Sequence, residues 1–121
     1  VPEILDQRVL DDLLAMVGDD AAFVDELVDA YVADVPRSMG ELSAALDSGH
    51  AEALVRPAHT LKSASQSIGG RQVADIAREI EQRGRSGSTN GVEALIAQLE
   101  AAGSDLAAAL EQARARRWAK E

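Results

Sequence analysis

Apolar residues recur along this chain at intervals of three and four, the spacing that lines one face of an α-helix. Leu10, Leu13, Leu14 and Val17 mark a first helix from about Asp6 to Val17, with Gly18 as its stop. Asp19 and Asp20 offer caps to a second helix, whose stripe runs Val24, Leu27, Val28, Tyr31, Val35, Met39, Leu42 and Leu46. Pro36 falls inside that stripe, and the unbroken apolar pattern predicts one kinked helix rather than two.

Ser48-Gly49 interrupts the pattern. A third helix is predicted from about Ala51 to Ser67, with Leu54, Ala58, Leu61, Ser65 and Ile68 on one face and Pro57 as a distortion. Gly69-Gly70 is so short a turn that the next helix must return antiparallel beside the third. That fourth helix, roughly Arg71 to Arg83, presents Val73, Ile76, Ala77 and Ile80 and is expected to stop at Gly84. Arg85 to Thr89 reads as a loop, and Asn90 with Glu93 resembles a capping pair. The last helix carries Val92, Leu95, Leu99, Ala102, Leu106, Leu110 and Ala113, and residues from about 114 to 121 are expected to fray. The expected fold is therefore all-α: a single domain over residues 1–121, an antiparallel up-down four-helix bundle with a short N-terminal capping helix. The stripes can be satisfied within one chain, so a monomer is expected.

Composition narrows the function. The 121 residues carry 12 basic and 21 acidic side chains, for a formal charge of −9, which disfavours non-specific contact with nucleic acid or anionic membranes. Phe23, Tyr31 and Trp118 are too few aromatics to form a base-stacking platform. The absence of Cys excludes disulfides and thiol chemistry. No apolar run approaches the roughly 18 residues of a spanning helix, so no membrane insertion is expected. The opening VPEILDQRVL lacks the basic start and apolar run of a signal peptide, and without an initiating Met the natural chain is expected to begin earlier.

Most reactive motifs are missing: there is no GxxxxGK[ST] loop, GxGxxG, HExxH or GxSxG. Neither His50 nor His59 follows a Glu by three residues, so a di-metal bundle is not indicated. One segment stands apart, Ala58 to Gly70, AHTLKSASQSIGG. His59 is one residue off the buried stripe, about 100° round the helix, which places it at the stripe's edge or outside it. Its face carries Val55, Lys62, Ser63 and Gln66. A neutral imidazole there is a competent nucleophile. Lys62, one turn on, could attract an anionic group carried by the ring, and the small Ser63 leaves a partner room to approach.

The same run resembles the signature of histidine-containing phosphotransfer (HPt) domains, His-Thr/Ser-Leu-Lys-Gly, small residues, then Leu/Ile-Gly. His59, Thr60, Leu61, Lys62, Ile68 and Gly69 match it. The likeness extends along the chain: Val17-Gly18-Asp19 leading to Phe23, Pro36 in a long helix, and Arg78-Glu79-Ile80-Glu81 on the helix after the motif. Ser63 stands where the family most often has Gly, and His50 where it often has Asp or Asn, which marks His50 as an incidental helix-start residue.

The resemblance implies a cytoplasmic phosphocarrier without turnover of its own. It would accept a phosphoryl group on His59 from a receiver-domain phospho-aspartate or a kinase, and pass it to another receiver's aspartate. Lys62 would stabilise the phosphoryl charge. No cofactor is implied on this chain, Mg²⁺ being expected on the partner receiver; the implied partners are response-regulator receiver domains and a hybrid histidine kinase. Equal distances counted back from the two connections flanking the third helix reach about Arg37 to Gly40 and Ala77 to Glu81, making Ser38, Val55, Arg56, Ser63, Gln66 and Arg78 the expected receiver footprint. The rivals are a structural or protein-binding helical bundle that is not phosphorylated and the N-terminal phospho-accepting domain of a chemotaxis-type kinase. A kinase dimerisation pair is disfavoured because Thr60, after the His, is not acidic.

Overall fold

A computed structural model describes residues 4–18 and 20–119, with side chains as far as residue 116. Five α-helices follow in order: α1 (Gln7–Met16), α2 (Ala21–Ser48), α3 (Val55–Ile68), α4 (Arg71–Arg85) and α5 (Val92–Ala119). A 3-10 turn, Ala51–Leu54, leads into α3. The last four pack as the expected bundle, α3 between α2 and α4 and α5 against both α2 and α4, while α1 rests across α2 and α3. Among the described residues no helix is long and apolar enough to cross a membrane.

Local chemistry sets the helix ends. Asp6 starts α1 by accepting the Arg8 N–H at 3.1 Å, and Asp20 starts α2 by accepting that of Phe23 at 3.2 Å. The other cap proposed for α2, Asp19, lies outside the described residues. Gly69 closes α3 at φ +91°, a conformation that costs glycine least. With it, the Gly70 N–H reaches the Ser65 carbonyl at 2.7 Å and the Gly69 N–H that of Gln66 at 3.3 Å. The Gly69 carbonyl in turn accepts the Asp6 N–H at 2.8 Å, which fastens α1 to the α3–α4 turn.

The expected stripes form the core: Val24, Val28, Tyr31 and Leu42 of α2, Ala58, Leu61, Ser65 and Ile68 of α3, Val73, Ala77 and Ile80 of α4, and all seven expected positions of α5 are buried. Leu27 departs from its stripe and is exposed, because Val24 and Val28 already fill the inward positions beside it. The α2 helix runs through Pro36 as one element, as the stripe predicted.

Four boundaries differ from expectation. The third element begins as a 3-10 turn, so Pro57 is the third residue of α3, where the missing N–H would have had no partner within the helix. Gly84 does not stop α4. It is buried inside the helix, where a Cβ would come within 2.8 Å of the Ala51 carbonyl oxygen, so glycine serves close approach to the 3-10 turn. Gly91, at φ +75°, directly precedes α5, leaving the Asn90–Glu93 pair one residue out of capping position. Finally, α5 continues to Ala119, beyond the expected start of fraying. Arg114 is held there by Asp29 at 2.7 Å, Glu111 at 3.0 Å and Asp25 at 3.2 Å, tying the end of α5 to the start of α2.

Candidate functional site

On α3 the neighbours Ala58 and His59 divide the helix between core and surface. Ala58 is fully buried, whereas the His59 side chain keeps 54% of its exposure. The Schellman turn at Gly69-Gly70 brings α4 back so that Ile80 and Glu81 come level with His59. Ile80 enters the core, and Glu81, one residue further round, turns toward the flank of α3. Its side chain is only 5% exposed, and a carboxylate there requires partners.

It has three. Lys62 Nζ donates to Glu81 Oε1 at 2.7 Å; Arg85 donates to Oε2 through Nη2 at 2.8 Å and Nε at 3.3 Å; His59 Nδ1 lies 3.0 Å from the same Oε2. The hydrogen bond from Lys62, joined by those from Arg85 and His59, outweighs the opposing effect of burial and lowers the Glu81 pKa to about 2. The carboxylate is thus ionised at neutral pH and can only accept. Nδ1 is therefore the donor to it, which in the neutral ring leaves the lone pair on Nε2, the nitrogen remote from Glu81. One carboxylate against two permanent cations leaves the surroundings of the ring net positive, which suits an incoming phosphoryl group.

Lys62 was expected to stand beside the ring, but its ammonium is directed at Glu81 and is 19% exposed. The i+3 position turns it toward α4, where the buried carboxylate waits. Arg85, read from the sequence as loop, lies on the last turn of α4 and belongs to the cluster. Arg85 had no expected role, and Glu81 entered only within the run Arg78-Glu79-Ile80-Glu81 that carries the likeness. The signal was present for Glu81, an acid beside the core position Ile80 and inside the span reached by counting from Gly69-Gly70. His50 is exposed at the start of the 3-10 turn, 3.8 Å from Glu52 and away from the cluster.

The six expected docking residues divide between the two flanks of α3. Arg56, Ser63 and Gln66 are exposed, and Val55 is half-buried against Gly84. Ser38 is buried rather than solvated, because the count gave its level along α2 but not its rotation. It lines an apolar groove of about 280 Å³ between α1, α2 and α3, whose walls include Leu13, Tyr31, Val35, Leu61 and Ala64. Thr60, next to His59, lines the same groove, and a pair of side chains at its edge, Asp34 and Arg37, bond at 3.0 Å. Arg78 and Gln66 border a separate polar recess with Asp6, Arg71 and Asp75 on the α4 side. Among the described residues no cluster of three or more His, Asp or Glu could hold a metal ion.

The chain belongs to the Hpt domain family, whose model matches residues 26–116. It is similar in structure to histidine-containing phosphotransfer protein B (HptB) from Pseudomonas aeruginosa PAO1, with a TM-score of 0.86 and 32% identity over 96% of this chain and 98% of that one. Among curated proteins no relative matches the chain. The protein is a histidine phosphotransfer carrier of phosphorelays.

Proposed function

We propose that His59 is the phosphoryl-accepting residue, and that its Nε2 takes the group from a receiver-domain aspartyl phosphate or a kinase and returns it to a receiver aspartate. The observation that carries this reading is the His59–Glu81 contact: 3.0 Å at Nδ1 leaves Nε2 as the nucleophile on a half-exposed ring. Phosphoryl transfer needs little of the carrier beyond position and charge, so the Mg²⁺ and most charge-stabilising groups belong to the receiver. Lys62 and Arg85 hold Glu81 ionised and keep the local field positive. The carrier has no turnover of its own in this reading and acts as a cytoplasmic monomer.

The apolar groove beside Thr60 suits an amphipathic surface of the receiver, and the exposed Arg56, Ser63 and Gln66 of α3 extend the contact around the ring. Burial of Ser38 makes it part of the groove wall. The test is incubation with a phosphorylated receiver domain, following an acid-labile, base-stable label on this chain. Label is expected on wild type and on His50→Gln and lost in His59→Gln. Label persisting in His59→Gln overturns the assignment.

A further inference from the structure

The Glu81 contact has a second chemical effect, on the phosphorylated state. We propose that His59 keeps its Nδ1 proton on Glu81 throughout the cycle, so that the phosphoryl group enters and leaves without a proton being gained or lost at this site. The proposal rests on His59 being the acceptor.

In the forward step the Nε2 lone pair forms the N–P bond while the P–O bond of the receiver's acyl phosphate breaks, its electron pair leaving with the carboxylate oxygen. The ring, which already carries hydrogen on Nδ1, becomes a phosphorylated imidazolium. In the return step a receiver carboxylate oxygen forms the new P–O bond and the N–P electron pair goes back to Nε2. What leaves is neutral imidazole. Had the phosphorylated ring lost its Nδ1 proton, the leaving group would be an imidazolide anion, a far stronger base, and transfer would wait for a proton from solvent.

The cluster favours retention. Oε2 of Glu81 lies 3.0 Å from Nδ1 and is shielded from water, so the carboxylate faces the ring's positive charge at short range. It cannot take the proton itself, because Lys62 and Arg85 hold it ionised, its pKa lowered to about 2. Those two cations oppose a charged ring, yet both bond to the same carboxylate, and the phosphoryl group adds negative charge on the other nitrogen. Of the remaining charged groups around α3, Asp34 and Arg37 of α2 bond to each other at 3.0 Å, and Arg78 of α4 lies 3.8 Å from Asp75. Glu52 of the 3-10 turn lies 3.8 Å from His50. Arg56, exposed one turn before His59, adds a third cation on the helix itself.

Wild type and Glu81→Gln are phosphorylated by the same receiver with Mg²⁺, and the ring's protonation is followed by phosphorus NMR as pH is raised. A phosphohistidine peptide spanning residues 55–63, prepared with phosphoramidate, gives the reference. Wild type is expected to hold the proton at least about one pH unit higher than either. The ratio of wild-type to variant transfer rate is expected to grow by about tenfold between neutral pH and pH about 9, the receiver's own dependence cancelling in the ratio. Coincident titrations of wild type and peptide, or a constant ratio, overturn the proposal while leaving His59 as acceptor. Absence of label on His59 overturns both. The wild-type and peptide titrations decide the matter even where the variant folds poorly.

Discussion

The hydroxyl of Tyr31 on α2 lies 2.7 Å from that of Ser65 on α3, and both residues are buried. The pair joins the two helices that wall most of the groove. Burial raises the Tyr31 pKa despite the opposing hydrogen bond, so the phenol stays neutral through the physiological range. Tyr31→Phe leaves the Ser65 hydroxyl to turn back on its own helix, and a loss of about 1 kcal/mol is expected in urea unfolding. Label on His59 is expected to persist; loss of labelling in a folded variant would show that the pair positions the site rather than the helices alone.

Two glycines on bundle helices predict opposite outcomes for one substitution. At Gly84 a Cβ would meet the Ala51 carbonyl oxygen at 2.8 Å and Val55 Cγ2 at 3.0 Å, so Gly84→Ala must push α4 from the start of α3. A cost of about 1–3 kcal/mol is expected, together with slower transfer, because Glu81 and Arg85 flank that position on the same helix. Gly40 has nothing within 4 Å of an added Cβ, and Gly40→Ala is expected to stabilise by about 0.5–1 kcal/mol through helix propensity. Thermal unfolding of the two variants checks both signs, and equal shifts would contradict the packing at Gly84.

Glu81 also makes stability depend on acid. Its folded pKa, about 2, lies below the unfolded value of 4.5, so its contribution is fully present above the unfolded value and lost as pH falls toward the folded one. At 1.36 kcal/mol per unit the contribution is on the order of 3 kcal/mol. Unfolding free energies of wild type and Glu81→Gln are expected to converge between pH about 4.5 and about 2 and to run parallel above it. Parallel curves through the acid range would remove Glu81 as the cause.

Lys62→Ala is expected to slow transfer by about 3- to 30-fold without abolishing it, a loss of roughly 0.7–2 kcal/mol at about 1.4 kcal/mol per factor of ten. Arg85 remains to hold Glu81 ionised, which limits the loss. Rates from one phosphorylated receiver, with helicity checked by circular dichroism, decide it. A folded variant that transfers at the wild-type rate would deny Lys62 an electrostatic role.

Filling the groove separates docking from chemistry. Ala64→Trp is expected to cut transfer from a receiver by about tenfold or more, a loss equal to roughly 1.4 kcal/mol of docking. Labelling by phosphoramidate should be unchanged. Ala108→Trp, on the exposed face of α5, is the control. Equal effects at the two positions would move the docking surface elsewhere.

Much of this was legible in the sequence because helical periodicity reports burial directly. Leu54, Ala58, Leu61, Ser65 and Ile68 were expected inward and all are buried, and His59, one residue off that stripe, is half-exposed. What periodicity does not report is rotation between neighbouring helices. Counting along α2 gave the level of Ser38 but not that it turns inward to the groove wall, and the α3 periodicity gave the position of Lys62 but not its partner on α4. Glycine is ambiguous for a related reason: the residue that ends a helix also permits close packing within one, and Gly84 does the second. Glu81 was given no role because a charged residue beside a core stripe ordinarily faces water, and the return of α4 against α3 adds Lys62 and His59 to Arg85 of its own helix, which makes its burial tolerable.

The Gly69-Gly70 turn determines the order in which the site can assemble. His59, Lys62, Glu81 and Arg85 all belong to the one helical hairpin that this turn closes, so forming the cluster requires no long-range chain closure. Only a short loop must close before a helix pair brings the imidazole to its carboxylate. The docking groove, by contrast, needs α1 and α2 as well, whose contacts are more distant in sequence. Local opening of α1 would therefore strip the groove of its Leu13 wall while the His59–Glu81 cluster stays intact, giving partner recognition and phosphoryl chemistry separate susceptibilities to fluctuation.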